Sequence, residues 1–387
     1  MAFLVGGSVR DMMLGRTPKD FDVGTNATPR QLRRVFRNSR VIGRRFRLVH
    51  VYFRDGIVDV TTFRRDPDPG TQAGADGELL ITDDNQFGSP AEDAFRRDFT
   101  INALLYNIAD YSVVDYTGGV EDLESQLVRA IGDPDVRFQE DPVRMVRACE
   151  FAGRLGFAIE SRTQEAILRQ ARHLDKASPA RLTDELLQLL RSQHAGPALQ
   201  WMLELNVLEV LLPEALQVLD PAAGSVGGVV PALDAMVADE REISDIALLA
   251  VLLLPAFAVS QSRSQKGKRA GQRQSPSGSR WFSNAVRDYL TPLGQRLKIS
   301  KERQDGVRYA LEGLFEMRDG DWSPSARARF LNRRSGPDSL ALFEIVARAT
   351  GEGQAELRKW SSVSKHRSSK KAPPRSRRRR RRRPQRP

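Results

Sequence analysis

The amino-acid sequence predicts an α+β chain, with a small sheet-bearing head followed by an all-helical remainder. Three observations predict it. Two β-rich runs, 49–53 and 57–63, flank Arg54-Asp55-Gly56, which is a strong hairpin signal. Beyond about residue 120, apolar residues recur at spacings of three and four through Leu123–Leu127, Val143–Leu155 and Leu182–Leu190. The 387 residues, 40% hydrophobic, suffice for two or three domains and a sizeable core.

Taken in order, Phe3-Leu4-Val5 is a short apolar strand broken by Gly6-Gly7. A helix follows from Ser8, where Ser8 and Asp11 give a weak capping-box signal. Residues 66–91, rich in Asp, Gly, Pro and Thr, read as a mobile loop. Residues 220–231 and 261–280 read as loops or linkers, and a last helical segment is expected over roughly 281–360. The apolar run Ile246–Leu254 is half a membrane span and should stop at Pro255. The opening Met1–Val5 is too short and uncharged for a signal peptide. The single cysteine, Cys149, excludes an internal disulfide framework and suits a core position in a reducing compartment. A soluble, cytoplasmic protein is the expectation.

Net charge is +12, and its location matters more than its size. Residues 365–387 hold 13 Lys/Arg and no acid, so residues 1–364 sum to −1. Arg377 to Arg383 cannot pack on one another, so a solvated, disordered tail is expected over 361–387. Such a tail can bind RNA phosphates by counterion release, or serve only solubility.

The carboxylates carry the chemistry. Asp20 and Asp22 are two apart, so on a strand both face one side. Two acids that close repel unless a cation sits between them, and hard oxygens on a rigid strand suit Mg²⁺. Alone, Asp-x-Asp is a weak signal and reads first as a solvated turn. Asp59 lies inside the apolar run Ile57–Val60, where an acid is unfavourable unless paired or metal-bound. If the hairpin lies beside Asp20 and Asp22, it supplies a third carboxylate. Gly6-Gly7 before a helix lets main-chain N–H groups approach a phosphate, with Arg10 adding a bidentate contact.

Arg96 to Leu104 reads as the start of a helix on which Asp98 and Asn102 share a face with Arg97 beside them. That trio could hold a ribose hydroxyl and a triphosphate. Glu140-Asp141-Pro142-Val143-Arg144 opens a strong helix, with Glu140, Arg144 and Arg147 on one stripe. A salt-bridged solvent face explains that stripe; so does base reading. Asp141 can accept from a base amino group while Arg144 donates to the neighbouring ring nitrogen. Adenine and cytosine share that edge, so the pair cannot separate them.

Leu4–Asp11, Asp20-Phe21-Asp22, Arg96–Ala103 and Glu140–Arg144 together resemble, in order, the motifs of the class II CCA-adding enzyme and bacterial poly(A) polymerase superfamily. The resemblance covers residues 1–215 well. Val41–Val51, Thr25–Pro29 and the basic tail are similar to the poly(A) polymerase branch. The resemblance implies a nucleotidyltransferase head over 1–118, with a mainly antiparallel sheet carrying the acids. A helical neck over 119–175 and an RNA-binding body and tail over 176–360, with a flexible loop at 261–280, would follow. It implies Asp20 and Asp22 as ligands of two Mg²⁺, with Mn²⁺ the alternative, Asp98 as a required acid, and Asp59 in the place of a third. Gly6, Gly7, Arg10, Arg97, Asn102, Glu140, Asp141, Arg144 and Arg147 would form the ATP site. Arg44, Arg45 and Arg47 would contact RNA.

The activity implied is transfer of AMP from ATP to RNA 3′ ends, on messenger or regulatory RNA. A CCA- or A-adding enzyme acting on tRNA is the alternative, and a degraded RNA-binding protein is the reading from another class. Three features depart from the family. The chain begins almost on its first strand, where relatives usually carry a helix. Glu150 stands where relatives usually carry Arg, and could pair with Arg147 or Arg154. Residues 217–232 and 255–280 are divergent.

Overall fold

The computed structural model describes residues 1–43, 47–54, 56–65, 86–218, 228–265 and 279–368. The head is built on seven strands: β1 (Ala2–Val5), β2 (Asp22–Thr25), β3 (Ser39–Ile42), β4 (Leu48–Tyr52), β5 (Ile57–Thr62), β6 (Leu105–Asn107) and β7 (Ser112–Val114). They lie in the order β3-β4-β5-β2-β1-β6-β7, and every pairing is antiparallel except β2 with β5. The predicted α+β class and hairpin are both present, with Phe53 N–H donating to the Gly56 carbonyl at 2.8 Å across the turn. Alternation then sorts the side chains. Val49, Val51 and Val60 are buried on one face, so His50 and Asp59 point to the other.

Helices α1 (Gly7–Met13), α2 (Pro29–Val35) and α3 (Pro90–Arg96) complete the head. The last two begin on capping boxes, Thr28 with Gln31 and Ser89 with Glu92, each with Pro in the first turn. Helix α1 is capped differently from the expectation. Gly6, at φ +75°, is its N-cap, and Ser8 sits inside the helix with its hydroxyl donating to the Val5 carbonyl at 3.2 Å.

Two short helices, α4 (Gly119–Glu124) and α5 (Pro134–Glu140), lead to the long neck helix α6 (Val143–Leu155) and its neighbours α7 (Ser161–Gln170), α8 (Pro179–Leu190) and α9 (Ala195–Glu204). A two-strand parallel pair, β8 (Leu127–Val128) with β9 (Ala158–Ile159), brackets α6. Then come α10 (Val207–Leu211), α11 (Val229–Ala238), α12 (Asp245–Gln265), α13 (Arg280–Ala285), α14 (Thr291–Arg296), α15 (Lys301–Asp319), α16 (Pro324–Leu331), α17 (Gly336–Thr350) and α18 (Gln354–Ser368). One hydrophobic core runs from Val9 and Phe99 in the head through Met145 and Phe151 to Trp360. The sheet packs through two smaller clusters of its own, one of Val5, Phe63 and Leu105 with their neighbours and one of Leu32, Val49, Val51 and Val60.

Several boundaries differ from the sequence expectation. Arg96–Leu104 is not a helix start: α3 ends at Arg96, Phe99 is extended, and only Thr100–Asn102 makes a 3₁₀ turn. Helix α12 does not stop at Pro255 but runs through it to Gln265. It is long and apolar enough to cross a membrane by composition, yet 67% of its apolar window is buried in the core. Packing on all sides outweighs the one backbone bond the proline forfeits. Thus 261–265 is helix rather than loop, as are 229–231 and 361–368. Residues 86–91 carry a bridge at Phe87 and the start of α3. Arg44, Arg45 and the remainder of the expected loops and tail, 66–85, 219–227, 266–278 and 369–387, lie outside the described residues.

Candidate nucleotidyltransfer cleft

The β1–α1 turn positions the first wall of the site. Gly6 needs its positive φ, and a Cβ there would meet the Arg97 guanidinium at 2.8 Å. A Cβ at Gly7 would lie 3.3 Å from the Arg10 guanidinium. Both glycines thus let two guanidinium groups rest against the backbone at the end of β1. Arg10 is buried and held from both sides: its Nη1 donates to Asn102 Oδ1 at 2.5 Å and its Nε to Asp11 Oδ1 at 2.8 Å. Arg97 donates to Asp93 and to the Asn102 carbonyl at 3.1 Å.

Facing these cations is the acid pair. Asp22 opens β2 and Asp20 lies just before the strand, so the pair does not share one strand as expected, yet both line the same cleft of about 990 Å³. Asp22 is paired in register with Asp59 across the parallel β2–β5 contact. Although open to the cleft, the Asp22 carboxyl is held above the ordinary range, first by the protein packed around it, then by Asp59, with Asp20 adding; Arg97 opposes them. Asp59 is further held by His50 Nε2 at 3.1 Å, a partner that the sequence reading missed although His50 sits opposite it on β4.

These carboxylates suit a divalent cation. Among the described residues no three His, Cys, Asp or Glu side chains gather closely enough to hold an ion unaided. A site of two carboxylates completed by water and substrate phosphates is what Mg²⁺ prefers, and the crowding at Asp22 is the kind a cation would relieve.

The third wall comes from the helices. Asp98 Oδ2 accepts from Arg147 Nε at 2.8 Å, while its Oδ1 accepts from Asn102 Nδ2 at 3.2 Å and from the Phe99 amide at 2.8 Å. Asp98 and Asn102 do meet, through a 3₁₀ turn rather than a helix face. Burial raises the Asp98 carboxyl, but the charge and hydrogen bond of Arg147 win and hold it below the usual range. Arg147 is pushed upward by Asp98 and Glu185 against its own burial. Glu150, buried on the cleft wall, pairs with Arg154 at 2.7 Å rather than with Arg147. Arg10, Arg147 and Arg154 all lie 5.0–5.4 Å from the Phe151 ring centre.

The expected base-reading group is not brought into this cleft. Glu140 Oε2 accepts from Arg137 and Arg144, and Arg144 also donates to the Arg137 carbonyl at 2.9 Å. Asp141 is held by both Nη atoms of Arg181 at 2.7 Å. None of the three acids and bases Glu140, Asp141 and Arg144 lines the cavity that Asp20, Asp22, Arg10, Arg97 and Arg147 line. Arg47 lies elsewhere on the head, exposed and beside α2. Conversely, α8 contributes Asp184, Gln188 and Arg191 to the cleft. The polar stripe Arg181, Asp184, Gln188, Arg191, at helical spacing, was the signal that could have found them.

Residues 2–129 match the family described as the poly A polymerase head domain, and residues 156–219 match the probable RNA and SrmB-binding site of polymerase A. Poly(A) polymerase I of Escherichia coli O6:H1 is 49% identical over 218 residues, 55% of this chain and 46% of that protein. The CCA-adding enzyme of Bacillus subtilis is 37% identical over 211 residues, 54% of this chain and 51% of that one. The solved Bacillus stearothermophilus CCA-adding enzyme in complex with CTP superposes with a TM-score of 0.64 at 25% identity, covering 95% of this chain and 78% of that structure. Over residues 2–129 the chain is therefore similar to the nucleotidyltransferase head of bacterial poly(A) polymerases, and over 156–219 to the region that follows it in them. Much the same stretch also resembles CCA-adding enzymes. The chain spans about half the length of the curated relatives it matches.

Proposed function

We propose that this protein is a template-independent polynucleotide adenylyltransferase: ATP and an RNA 3′ hydroxyl give RNA longer by one AMP, and pyrophosphate. The observation that carries this reading is the cleft in which Asp20 and Asp22 face Arg10, Arg97, Asn102 and Arg147. The primer oxygen forms a bond to the α-phosphorus, the bond to the bridging oxygen breaks, and the electron pair leaves on pyrophosphate. Asp20 and Asp22 would hold Mg²⁺, which when bound lowers the pKa of the attacking hydroxyl and offsets charge on the leaving group. Arg10 and Arg97, fixed against the Gly6-Gly7 backbone, supply preorganised positive charge for the triphosphate. Asp98 and Asn102 hold that arrangement by tying Arg10 and Arg147 to one turn. Reading of the base by Asp141 and Arg144 requires Arg181 to release Asp141 when nucleotide arrives.

The kinship with CCA-adding enzymes favours a second reading, addition of C or A to tRNA. Purified protein incubated with each nucleoside triphosphate separately, on tRNA lacking its end and on unrelated RNA, tests both. Long A tracts on either RNA support the first; one to three residues on tRNA alone support the second. If wild type and Asp22→Ala are equally inactive with Mg²⁺ and ATP while both bind RNA, neither enzymatic reading stands and the chain is an RNA-binding protein.

A further inference from the structure

Between Asp22 and Asp55 the chain has no acid and nine arginines, Arg30 to Arg54. Among the described ones, Arg30, Arg33 and Arg34 lie on α2 and Arg40 on β3, at one edge of the head. Arg30, Arg33, Arg34 and Arg47 line a shallow pocket of about 490 Å³ with only Pro29 and Val41 as apolar neighbours. Local stability does not explain this arrangement. Arg33 and Arg34 in the last turn of α2 suit the helix dipole, but Arg30 stands in the first turn, where a cation opposes it. Arg30 and Arg34 are also like charges four residues apart, which weakens a helix. Leu32 is the one buried residue of α2, so the rest of the helix is surface.

We propose that this edge is a second RNA-contact surface, where Arg30, Arg33 and Arg34, with Arg47, grip phosphodiesters of the single-stranded primer upstream of its 3′ end. It rests on the reading of the chain as an RNA 3′-end nucleotidyltransferase. Helix α2 packs through Leu32 on the Val49, Val51 and Val60 face, opposite Asp59, and β3 beside it is the outermost strand, three steps or about 14 Å from β2 at the usual strand spacing. A primer whose 3′ hydroxyl reaches Asp20 and Asp22 would meet these arginines only after turning round the β3 edge, several nucleotides back. The occupant follows from the charge: a protein partner would need an apolar or aromatic centre to the patch, whereas Arg30, Arg33 and Arg34, with no carboxylate lining their pocket among the described residues, fit a phosphate backbone read without sequence.

The test uses the full chain with Arg30, Arg33 and Arg34 all changed to Gln, a good helix former that leaves the surface position intact. Binding of a long unstructured RNA oligonucleotide is measured in EDTA across a salt series, and turnover is measured on that RNA and on a trinucleotide primer too short to reach the edge. Loss of three contacts should lower long-RNA affinity about tenfold or more and make the slope of log K against log salt shallower by roughly 2. The trinucleotide and ATP parameters should be unchanged, and the Arg→Lys triple should restore most of the binding. Unchanged long-RNA affinity and slope in a folded variant would overturn the proposal and leave an acidic protein as the partner of this edge. An equal loss on the trinucleotide would also overturn it, since the arginines would then act through the cleft. Should the wild type extend no RNA while the triple still loses long-RNA binding, the enzymatic reading fails and this surface stands.

Discussion

Two carboxyls of the same type illustrate how neighbours decide a residue's work. Asp22 is crowded by Asp59 and Asp20, and its charged form is disfavoured. Asp98 is more deeply enclosed, but Arg147, Asn102 and the Phe99 amide secure its charge. The first is poised for a cation; the second is an anchor between head and neck. The sign of the pH effect follows. A carboxyl whose pKa is lowered on folding contributes stability that is fully present above the ordinary aspartate value and lost as pH falls through the lowered one. Asp98→Asn should therefore cost about 2–4 kcal/mol near neutral pH, because Arg147 loses one of its two carboxylates in a buried setting. Urea denaturation at pH 7 and again near pH 3 checks this: the gap between wild type and variant should narrow in acid. A gap that is constant with pH would mean that packing, not charge, makes Asp98 matter. At this scale the sequence was informative about identity and poor about partners. Asp20, Asp22, Asp59 and Asp98 were all singled out, whereas Arg181 and Glu185 were not, since they act across helices 40 and 38 residues from Asp141 and Arg147; His50, directly across the predicted hairpin from Asp59, was within reach of the pattern and was missed.

At the scale of elements, the errors of sequence reading have two causes: a local signal overridden by tertiary packing, and a local signal hidden by the composition around it. Pro255 looked like a stop because a proline interior to a helix costs a hydrogen bond, yet α12 is sunk among α15, α13 and α17 and continues. Arg96–Leu104 looked like a helix start because the true start, the capping box at Ser89 and Glu92, fell within a stretch dominated by Asp, Gly and Pro. The strong predictions were those with unambiguous periodicity, the hairpin at 54–56 and helix α6. Helix α6 bears Arg147, Glu150 and Arg154, so its seat determines the shape of the cleft. It packs closely on α9 at Gly153, where a Cβ would lie 2.4 Å from the Ala198 nitrogen. That contact is backbone and cannot yield. Gly153→Ala should push the two helices apart and destabilise the protein by about 1–3 kcal/mol, lowering turnover more than ATP binding as Arg147 shifts from Asp98. Thermal denaturation with steady-state kinetics tests it. A variant as stable and active as wild type would show that α6 is free to adjust.

For the whole molecule, the functional cleft exists only because three distant stretches converge. Asp98 of the head, Arg147 of α6 and Glu185 of α8 form one chain of ion pairs, and Asp245 of α12 closes the far rim by pairing with Arg191 and Arg303. No sequence spacing signals such a junction, which is why the order of motifs was legible and their enclosure by the body was not. The charge of the chain is divided in the same spirit. The cleft of the described body is lined by arginines that are already paired, while the last residues add basic side chains with no acid among them. Cations in those two settings should act differently. The paired arginines hold the nucleotide in a fixed geometry; the terminal ones can only raise the local concentration of polyanion, by releasing counterions. Ending the chain after Ser368 removes nearly all of the terminal arginines and leaves α18 whole. ATP affinity and turnover at saturating RNA should then be unchanged, while the RNA concentration needed for half-saturation rises at least about tenfold at low salt and its salt dependence becomes shallower. If the α2 edge and the tail bind separate phosphates, the two losses should add on a logarithmic scale when combined. A truncated protein with the wild-type salt slope would place all RNA affinity in the folded body, and a combined variant no weaker than either alone would mean that tail and α2 edge bind the same phosphates.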